Sequence, residues 1–495
     1  MKRSSGILMP IFSLPSKYGI GTLGKEAYNF VDFLVDTKQK YWQMLPIMET
    51  SFGNSPYSAT SSFAGNPLFI DFDMLMDEGL LDKSDYEFLD NDINPRRVDY
   101  NKQINQKIKI LKIACDNFKN SHKSELNDFC DKYNFFLDDY AIFNALKYTF
   151  NGAAFNKWDK EFKLAYKYAI DDFIKNNKDN ITFYKTVQCL FYRQWFKLKK
   201  YANKKGIKII GDTPIYSAYD SSEVWATPQY FNLDENRNPI DVSGCPPDGY
   251  SVNGQLWGNP LYNYDYIRED HYNYFINKFS HLFELYDVLR IDHFRGFSSY
   301  YAIPFESSDA RNGKWVKGPG IELFNEIKNK LGELNIIVED LGFIDDSVRQ
   351  LIKDTGYPSM KVLEFAFNSC DKDNQLYLPH TYPENSTAYL GTHDNDTFMG
   401  WINSISDDDR NYAIEYLKLT DKDNYYKEAI EVLYNSKSYL TILQFQDLLG
   451  VGSIGRMNVP STIGSHNWSY RLLPYELNDD VKSFLRDVTI KTNRA

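Results

Sequence analysis

Short apolar segments that stop at a carboxylate recur along this chain, and long helical segments separate them. Four of these segments are Ile209-Ile-Gly-Asp212, Leu289-Arg-Ile-Asp292, Ile336-Ile-Val-Glu339 and Tyr389-Leu-Gly-Thr-His-Asp394. Apolar runs of this length predict buried strands, and strands that alternate with helices indicate a parallel sheet. The chain is therefore expected to adopt an α/β fold in which distant carboxylates converge where the strands end.

Eight predicted strands fit this alternation. They are the stretches 7–9, 41–45, 207–211, 287–296, 335–340, 361–367, 387–394 and 439–444. Eight strands with polar residues at their carboxyl ends predict a (β/α)8 TIM barrel, and a doubly wound sheet is the alternative. We expect one catalytic domain over residues 1–495. A mostly helical insertion at about 50–180 and a loop-rich one at about 216–266 follow the second and third strands.

Composition excludes several classes of protein. With 495 residues, of which 43% are hydrophobic, the chain can bury a large core. The net charge of −11 disfavours a nucleic-acid partner. No apolar run reaches 18 residues, so we expect no membrane span. Five dispersed cysteines without a CxxC pair, and a start without a signal-peptide core, favour the cytoplasm. Aromatic residues make up 16% of the chain, which suits hydroxyl-rich ligands such as sugars.

Two glycine patterns and two acidic patterns match known motifs only in part. The stretches 19–24 and 450–455 fit GxGxxG, but neither joins a strand directly to a helix as a dinucleotide site requires. Asp371-Lys-Asp-Asn and Asp421-Lys-Asp-Asn lack the glycine and the glutamate of a calcium loop. We interpret the acidic patterns as surface turns and expect no cofactor at either glycine pattern.

Arg290 and Asp292 lie two residues apart on a predicted strand, so their side chains share a face. A carboxylate beside an arginine stays ionised at neutral pH, as a nucleophile must. The pair is equally compatible with a structural ion pair at a strand end.

The three acids of the later strands suggest a glycosidic mechanism. Asp292 would be the nucleophile, and Glu339, which follows three apolar residues, would have a raised pKa and donate a proton. Asp394 would be a third acid that holds sugar hydroxyls, with His293 and His393 as hydroxyl donors. A rival hypothesis makes the two Asp–His pairs ligands of zinc or manganese in a barrel hydrolase.

Many separate segments resemble the 4-α-glucanotransferases, the amylomaltase or disproportionating-enzyme family. The resemblance runs from near Gly6 to about Leu473. Its carriers are Leu14-Pro-Ser-Lys-Tyr-Gly-Ile-Gly21, Ser55-Pro-Tyr57, Ser62-Phe-Ala-Gly-Asn-Pro67, Gly211-Asp-Thr-Pro-Ile-Tyr216, Glu223-Val-Trp225, Gly244-Cys-Pro-Pro-Asp-Gly249, Gln255-Leu-Trp-Gly-Asn-Pro-Leu-Tyr262, Arg290-Ile-Asp-His-Phe-Arg-Gly296, Val338-Glu-Asp-Leu-Gly342, Gly391-Thr-His-Asp394 and Arg456-Met-Asn458. The segment 460–471 departs from the family pattern in its spacing.

The resemblance implies an α-amylase-type barrel without a C-terminal β-domain, and no metal or organic cofactor. It implies Asp292 as nucleophile, Glu339 as general acid/base and Asp394 as third carboxylate. The implied substrate-binding residues are Ser55, Tyr57, Asp212, Gln255, Trp257, Arg290, His293, His393 and Asn467.

The implied activity is transfer of α-1,4-glucan segments between maltooligosaccharides or starch and glycogen chains. Physical reasoning alone does not separate this transferase from a retaining α-glucan hydrolase or from a glucan-binding protein that needs no Glu339.

Overall fold

The computed structural model describes residues 2–90, 94–247, 251–371 and 373–495. Eight parallel strands close into a barrel, as predicted. The strands of the described chain are β1 (Ser4–Leu8), β2 (Tyr41–Gln43), β3 (Lys208–Thr213), β4 (Asp241–Cys245), β5 (Gln255–Pro260), β6 (Val288–Ile291), β7 (Ser299–Pro304), β8 (Lys314–Lys317), β9 (Ile336–Val338), β10 (Ser359–Val362), β11 (Ser386–Tyr389) and β12 (Leu440–Gln444).

The barrel order around the ring is β1-β12-β11-β10-β9-β6-β3-β2, so strands that follow one another along the barrel also pair. Residues of β6, β9, β11 and β12 are buried throughout. Helices cover the outside of a parallel barrel and its own side chains fill the inside, so continuous apolar runs are required there.

Helices fill the connections between the barrel strands and most of the first insertion. They are α1 (Lys25–Asp36), α2 (Phe72–Asp77), α3 (Tyr100–Ser121), α4 (Lys123–Lys132), α5 (Asn134–Thr149), α6 (Lys160–Lys163), α7 (Lys167–Asn176), α8 (Lys178–Lys204), α9 (Ser222–Ala226), α10 (Tyr264–Glu269), α11 (Asn273–Leu285), α12 (Ile321–Leu331), α13 (Asp346–Thr355), α14 (Phe398–Ser404), α15 (Asp407–Leu417), α16 (Tyr425–Asn435), α17 (Phe445–Leu448) and α18 (Asp479–Lys491). None of the helices in the described ranges is long and apolar enough to cross a bilayer.

Sequence periodicity locates the outer helices well. Apolar residues at spacings of three and four, Ala27, Phe30, Val31 and Leu34, predict a helix over residues 26–37, and this face of α1 is buried. The same spacing of apolar residues predicts a helix over residues 186–200. Helix α8 extends beyond both ends of this range, because its charged first and last turns continue the helix on the solvent side.

Six of the eight predicted barrel strands are shorter in the structure, and the fourth, sixth and seventh differ most. The fourth covers only Val288–Ile291, so Asp292 follows it directly. The sixth ends at Val362, and Leu363–Phe367 form a 3-10 turn instead. The seventh ends at Tyr389, so Asp394 lies in the loop beyond the strand. Glu364 N donates to Leu390 O at 3.1 Å, so one contact continues between the two segments after the regular ladder has stopped.

The prediction that residues 216–266 are loop-rich misses two strands, and two more strands lie between β6 and α12, where the sequence pattern predicts none. These four strands form an antiparallel sheet in the order β5-β4-β7-β8 beside the barrel. Glycine and proline within and around β4 and β5 hide the alternation that normally reveals a strand. Residues 248–250, which include the end of the 244–249 motif, lie outside the described residues. We propose that the whole chain is one catalytic domain and that the two insertions belong to it.

Candidate active site

The register of the barrel brings the predicted acids to one level. Asp212 of β3 pairs with Arg290 of β6, and Ile291 of β6 pairs with Val338 of β9. Asp292 follows Ile291 directly and Glu339 follows Val338. Asp292 and Glu339 therefore follow the ends of two neighbouring parallel strands and lie side by side at the carboxyl end of the barrel.

Arg290 is the buried cation of this site. Its Nη1 lies 2.8 and 2.7 Å from the two carboxylate oxygens of Asp212 and 3.0 Å from Asp292 Oδ1. The shared face that the strand pattern predicts for Arg290 and Asp292 is confirmed. Asp212 also accepts a hydrogen bond from the Tyr57 hydroxyl at 2.9 Å, so Arg290 and Tyr57 are both held by the same carboxylate.

The pKa of Asp292 is raised to about 6, which differs from the direction expected for a carboxylate beside an arginine. Burial in the cleft is the largest cause, and Arg290 offsets it only in part. The negative charges of Asp212 and Asp394 raise the pKa further. The side chain keeps 29% of its surface exposed, so the carboxylate faces the open cleft. Asp292 is still mostly ionised at neutral pH.

Glu339 has the raised pKa that its sequence context predicts. Burial is the main cause and the charge of Asp292 the second, and together they raise the pKa to about 8. Its two carboxyl oxygens are fixed by backbone donors: His293 N lies 2.7 Å from Oε2 and Leu341 N lies 2.8 Å from Oε1. His293 adopts a left-handed conformation with φ of 51°. This uncommon backbone geometry turns the chain immediately after Asp292 and accompanies the His293 N–H contact to Glu339.

Asp394 is held by a residue that sequence reasoning did not single out as a site residue. Asn458 Nδ2 donates to Asp394 Oδ1 at 2.6 Å, and Arg456 Nη2 donates to the Asp394 carbonyl at 2.8 Å. His393 Nε2 lies 3.5 Å from Asp394 Oδ2. The Arg456-Met-Asn458 motif carried the family resemblance, but a contact across 64 residues leaves no local pattern in the sequence.

Aromatic rings pack on the two histidines next to the acids. The Tyr57 ring stacks on His393 with centroids 5.2 Å apart, and Trp468 packs against both rings. Trp257 meets the His293 ring edge-on at 4.7 Å. Flat apolar surfaces therefore lie next to the charged residues of the site.

Three more predicted binding residues have identified contacts. Trp257 Nε1 donates to Gln255 Oε1 at 3.0 Å, so these two side chains of β5 form a pair. Ser55 Oγ accepts from Tyr57 N at 3.3 Å and shapes the turn before Tyr57. Asn467 is buried, and its amide bonds Val459 N and Thr462 within its own loop. The adjacent Trp468, which was not predicted, is the residue of this loop that contacts Tyr57 and His393.

The geometry gives little support to the metal-site hypothesis or to a nucleotide site at the glycine patterns. Among the residues that the structure describes, no group of three His, Cys, Asp or Glu side chains is placed to hold a metal ion. The imidazoles of His293 and His393 pack on aromatic rings instead. The glycine stretch 19–24 follows a 3-10 turn and the stretch 450–455 follows α17, so neither connects a strand to a helix.

A closed (β/α)8 barrel with an acid pair, a third carboxylate and aromatic walls at the ends of its strands defines the class of glycan-processing barrel enzymes. Comparison with known proteins agrees with this class. Residues 9–476 match the family model described as 4-alpha-glucanotransferase. A 4-alpha-glucanotransferase of Clostridium butyricum is 46% identical over 94% of this chain and 95% of its own length. One of Streptococcus pneumoniae serotype 4 is 43% identical over 99% and 97%.

A solved structure is similar to this chain in both sequence and fold. The amylomaltase from Streptococcus agalactiae in complex with acarbose is 42% identical, covers 100% of both chains and has a TM-score of 0.97. The amylomaltase from Corynebacterium glutamicum, 17% identical over 99% of this chain and 74% of its own, shares the fold with a TM-score of 0.77. The chain belongs to the 4-alpha-glucanotransferase family and is a glucan-transferring enzyme.

Proposed function

We propose that this enzyme transfers α-1,4-glucan segments from a maltooligosaccharide, starch or glycogen donor to the 4-hydroxyl of a glucose or glucan acceptor. The supporting observation is the pair of neighbouring acids with different environments: Asp292 beside Arg290 and exposed to the cleft, and Glu339 buried with a higher pKa. The family supports the substrate class. The related Streptococcus agalactiae amylomaltase is described in complex with acarbose.

In the first step a carboxylate oxygen of Asp292 attacks the anomeric carbon of the donor, and the bond from that carbon to the glycosidic oxygen breaks. The proton of Glu339 moves to the leaving oxygen, and the released end of the chain departs with a free hydroxyl. The product is a glycosyl ester of Asp292. Arg290, 3.0 Å from Asp292 Oδ1, keeps the nucleophile charged before the attack.

In the second step Glu339, now a carboxylate, takes the proton of the acceptor 4-hydroxyl. The acceptor oxygen attacks the anomeric carbon and the ester bond to Asp292 breaks, which restores both acids. Ester formation removes the negative charge of Asp292, and that charge is one cause of the raised Glu339 pKa. The pKa of Glu339 therefore falls in the intermediate and rises again after transfer, as the change from acid to base requires.

The remaining predicted residues bind the sugar in this proposal. Asp394, fixed by Asn458, accepts from ring hydroxyls of the sugar at the reacting centre. His293 and His393 hydrogen-bond the sugar on either side, and Asp212 and Arg290 complete the polar floor. Ser55, Tyr57, Gln255, Trp257 and Asn467 line the cleft or shape its loops.

Transfer dominates over hydrolysis when the acceptor reaches the intermediate before water does. The rings of Tyr57, Trp257 and Trp468 cover apolar sugar faces and exclude water from the ester. Incubation with maltotriose distinguishes the two outcomes. The proposal predicts glucose together with maltooligosaccharides longer than the substrate. Products no longer than maltotriose would identify a retaining hydrolase instead. Loss of activity with a chelator would favour the metal hypothesis.

A further inference from the structure

Two backbone segments that fix Glu339 continue beyond it, one to the buried Arg295 and the other to the exposed Phe343. His293 N donates to Glu339 Oε2 at 2.7 Å, and Arg295 follows two residues later. Leu341 N donates to Glu339 Oε1 at 2.8 Å, and Phe343 follows two residues later. Each segment therefore carries one large side chain to a position close to the acid/base.

The two segments meet at Trp315 of β8. The guanidinium carbon of Arg295 lies 3.8 Å from the centre of the Trp315 ring, within the range of a cation–π contact. The Phe343 ring lies 6.4 Å from the Trp315 ring, with an angle of 28° between the planes. Arg295 Nη2 also donates to Asp345 Oδ2 at 2.9 Å, which ties the two segments together.

Phe343 and Trp315 leave much of their surface in contact with solvent. Phe343 is 67% exposed and Trp315 is 39% exposed. Their rings are nearly parallel but too far apart for a closed face-to-face stack, so they form adjacent parts of one apolar surface. Arg295 is buried beneath Trp315 and supports the ring from below. Two adjacent exposed aromatic rings that are supported from one side, where Trp315 also packs on Tyr301, are a candidate binding surface.

We propose that Trp315 and Phe343 form a platform that stacks on the sugar rings of the leaving segment and, in the second step, of the acceptor glucan. This inference rests on the proposed function. The side of the scissile bond follows from Glu339, because the general acid protonates the leaving oxygen and later deprotonates the acceptor. Phe343 lies four positions after Glu339 in the chain, and four steps along the chain span at most about 14 Å. The platform is thus within reach of a short oligosaccharide whose end is bound at Glu339.

The platform predicts a dependence on acceptor length. In this proposal a glucose bound at Glu339 does not contact Phe343, whereas a maltooligosaccharide of several units covers it. For Phe343→Ala we expect the KM for isotope-labelled maltotetraose as acceptor to rise roughly tenfold, since an aromatic contact of about 1.4 kcal/mol is lost. The KM for labelled glucose should change by less than about twofold. Tyr168→Ala is the matched control, because Tyr168 is 65% exposed on α7 of the helical insertion.

A second variant tests the platform without removing the ring. In Trp315→Phe an aromatic ring still packs on Arg295, but the area that can stack on a sugar ring is smaller. This variant should raise the maltotetraose KM by a smaller factor than Phe343→Ala. Equal effects of Phe343→Ala on glucose and maltotetraose, or no effect on either, would overturn the platform. A wild-type enzyme that transfers to neither acceptor would instead overturn the proposed function, so the two failures are distinguishable.

Discussion

Asn458 Nδ2 lies 2.6 Å from Asp394 Oδ1, which fixes the carboxylate of the third acid from a loop 64 residues further along the chain. Asp394 itself lies beyond the end of β11, in a loop whose regular strand pairing has stopped. Its side chain is 46% exposed. Without Asn458 the carboxylate would retain a contact of 3.5 Å to His393 Nε2 and would be free to turn.

Replacing Asn458 with alanine should lower kcat by about a hundredfold with little loss of stability, because a misplaced catalytic group costs about that factor. Steady-state kinetics with maltotriose and a thermal melt measure both effects. Asn403→Ala is the matched control, since Asn403 Nδ2 donates only to the Met399 carbonyl on an exposed face of α14. An Asn458→Ala enzyme with wild-type kcat would show that Asp394 needs no such support.

The two acids predict a bell-shaped pH profile of kcat/KM. The reactive form has Asp292 deprotonated and Glu339 protonated. Activity therefore rises with pH through the pKa of Asp292, about 6, and falls through the pKa of Glu339, about 8. The two apparent values belong to the coupled pair. An alkaline limb that survives in the residual activity of Glu339→Gln would assign that limb to another group.

Asp212→Asn should move the acid limb to lower pH. The charge of Asp212 raises the pKa of Asp292, and the same carboxylate draws Arg290 away from Asp292. The neutral amide removes both effects, so the pKa of Asp292 falls. Tyr57→Phe is the control, because it removes the hydrogen bond to Asp212 without changing its charge. It should lower activity without moving the limb. An acid limb that stays in place in Asp212→Asn would contradict the role of Asp212.

A buried acid behind the site predicts how stability depends on pH. Asp447 accepts from Phe398 N at 2.8 Å through Oδ1, while Oδ2 is buried without a hydrogen bond. Burial raises its pKa to about 7. The folded state therefore holds this proton more tightly than the unfolded state, and ionisation destabilises the fold as pH rises from about 4 to about 7.

Asp447→Asn keeps the acceptor for Phe398 N and removes the ionisation. Its free energy of unfolding relative to wild type should increase between pH 4 and pH 7 by an amount on the order of 2–4 kcal/mol. Urea melts across this range measure it. The exposed Asp423→Asn variant is the control and should follow the wild-type curve. A difference between Asp447→Asn and wild type that is independent of pH would mean that folding does not raise the pKa of Asp447.

Local sequence signals were sufficient for the barrel and for the acids that end its strands. Asp212, Asp292 and Glu339 each close an apolar run, and strand register then brings them together. Features that depend on tertiary contacts leave no local pattern in the sequence and could not be predicted. The raised pKa of Asp292 comes mainly from burial in the folded barrel, with a further contribution from the charge of Asp212, which lies 80 residues earlier in the chain and pairs with the same arginine. Asn458 likewise donates its hydrogen bond to Asp394 from a loop 64 residues further along the chain.

The antiparallel sheet beside the barrel was missed for a related reason. Its strands β4 and β5 contain glycine and proline, so their composition indicates a loop. These residues form strands because β4 pairs with β7, which lies about 60 residues later in the chain. The resemblance implies Asn467 as a substrate-binding residue. The structure places its amide within its own loop, and its predicted role in sugar binding remains a prediction.

The central claim is that Asp292 forms a covalent bond to the donor sugar. Glu339→Gln with α-maltosyl fluoride tests it most directly, because fluoride leaves without a proton from residue 339 and the second step then lacks its base. Digestion and mass spectrometry should find one maltosyl unit on the peptide that contains Asp292, and none when Asp292→Asn is added. A maltosyl group on another residue, or an unmodified protein that still consumes the fluoride, would contradict the mechanism.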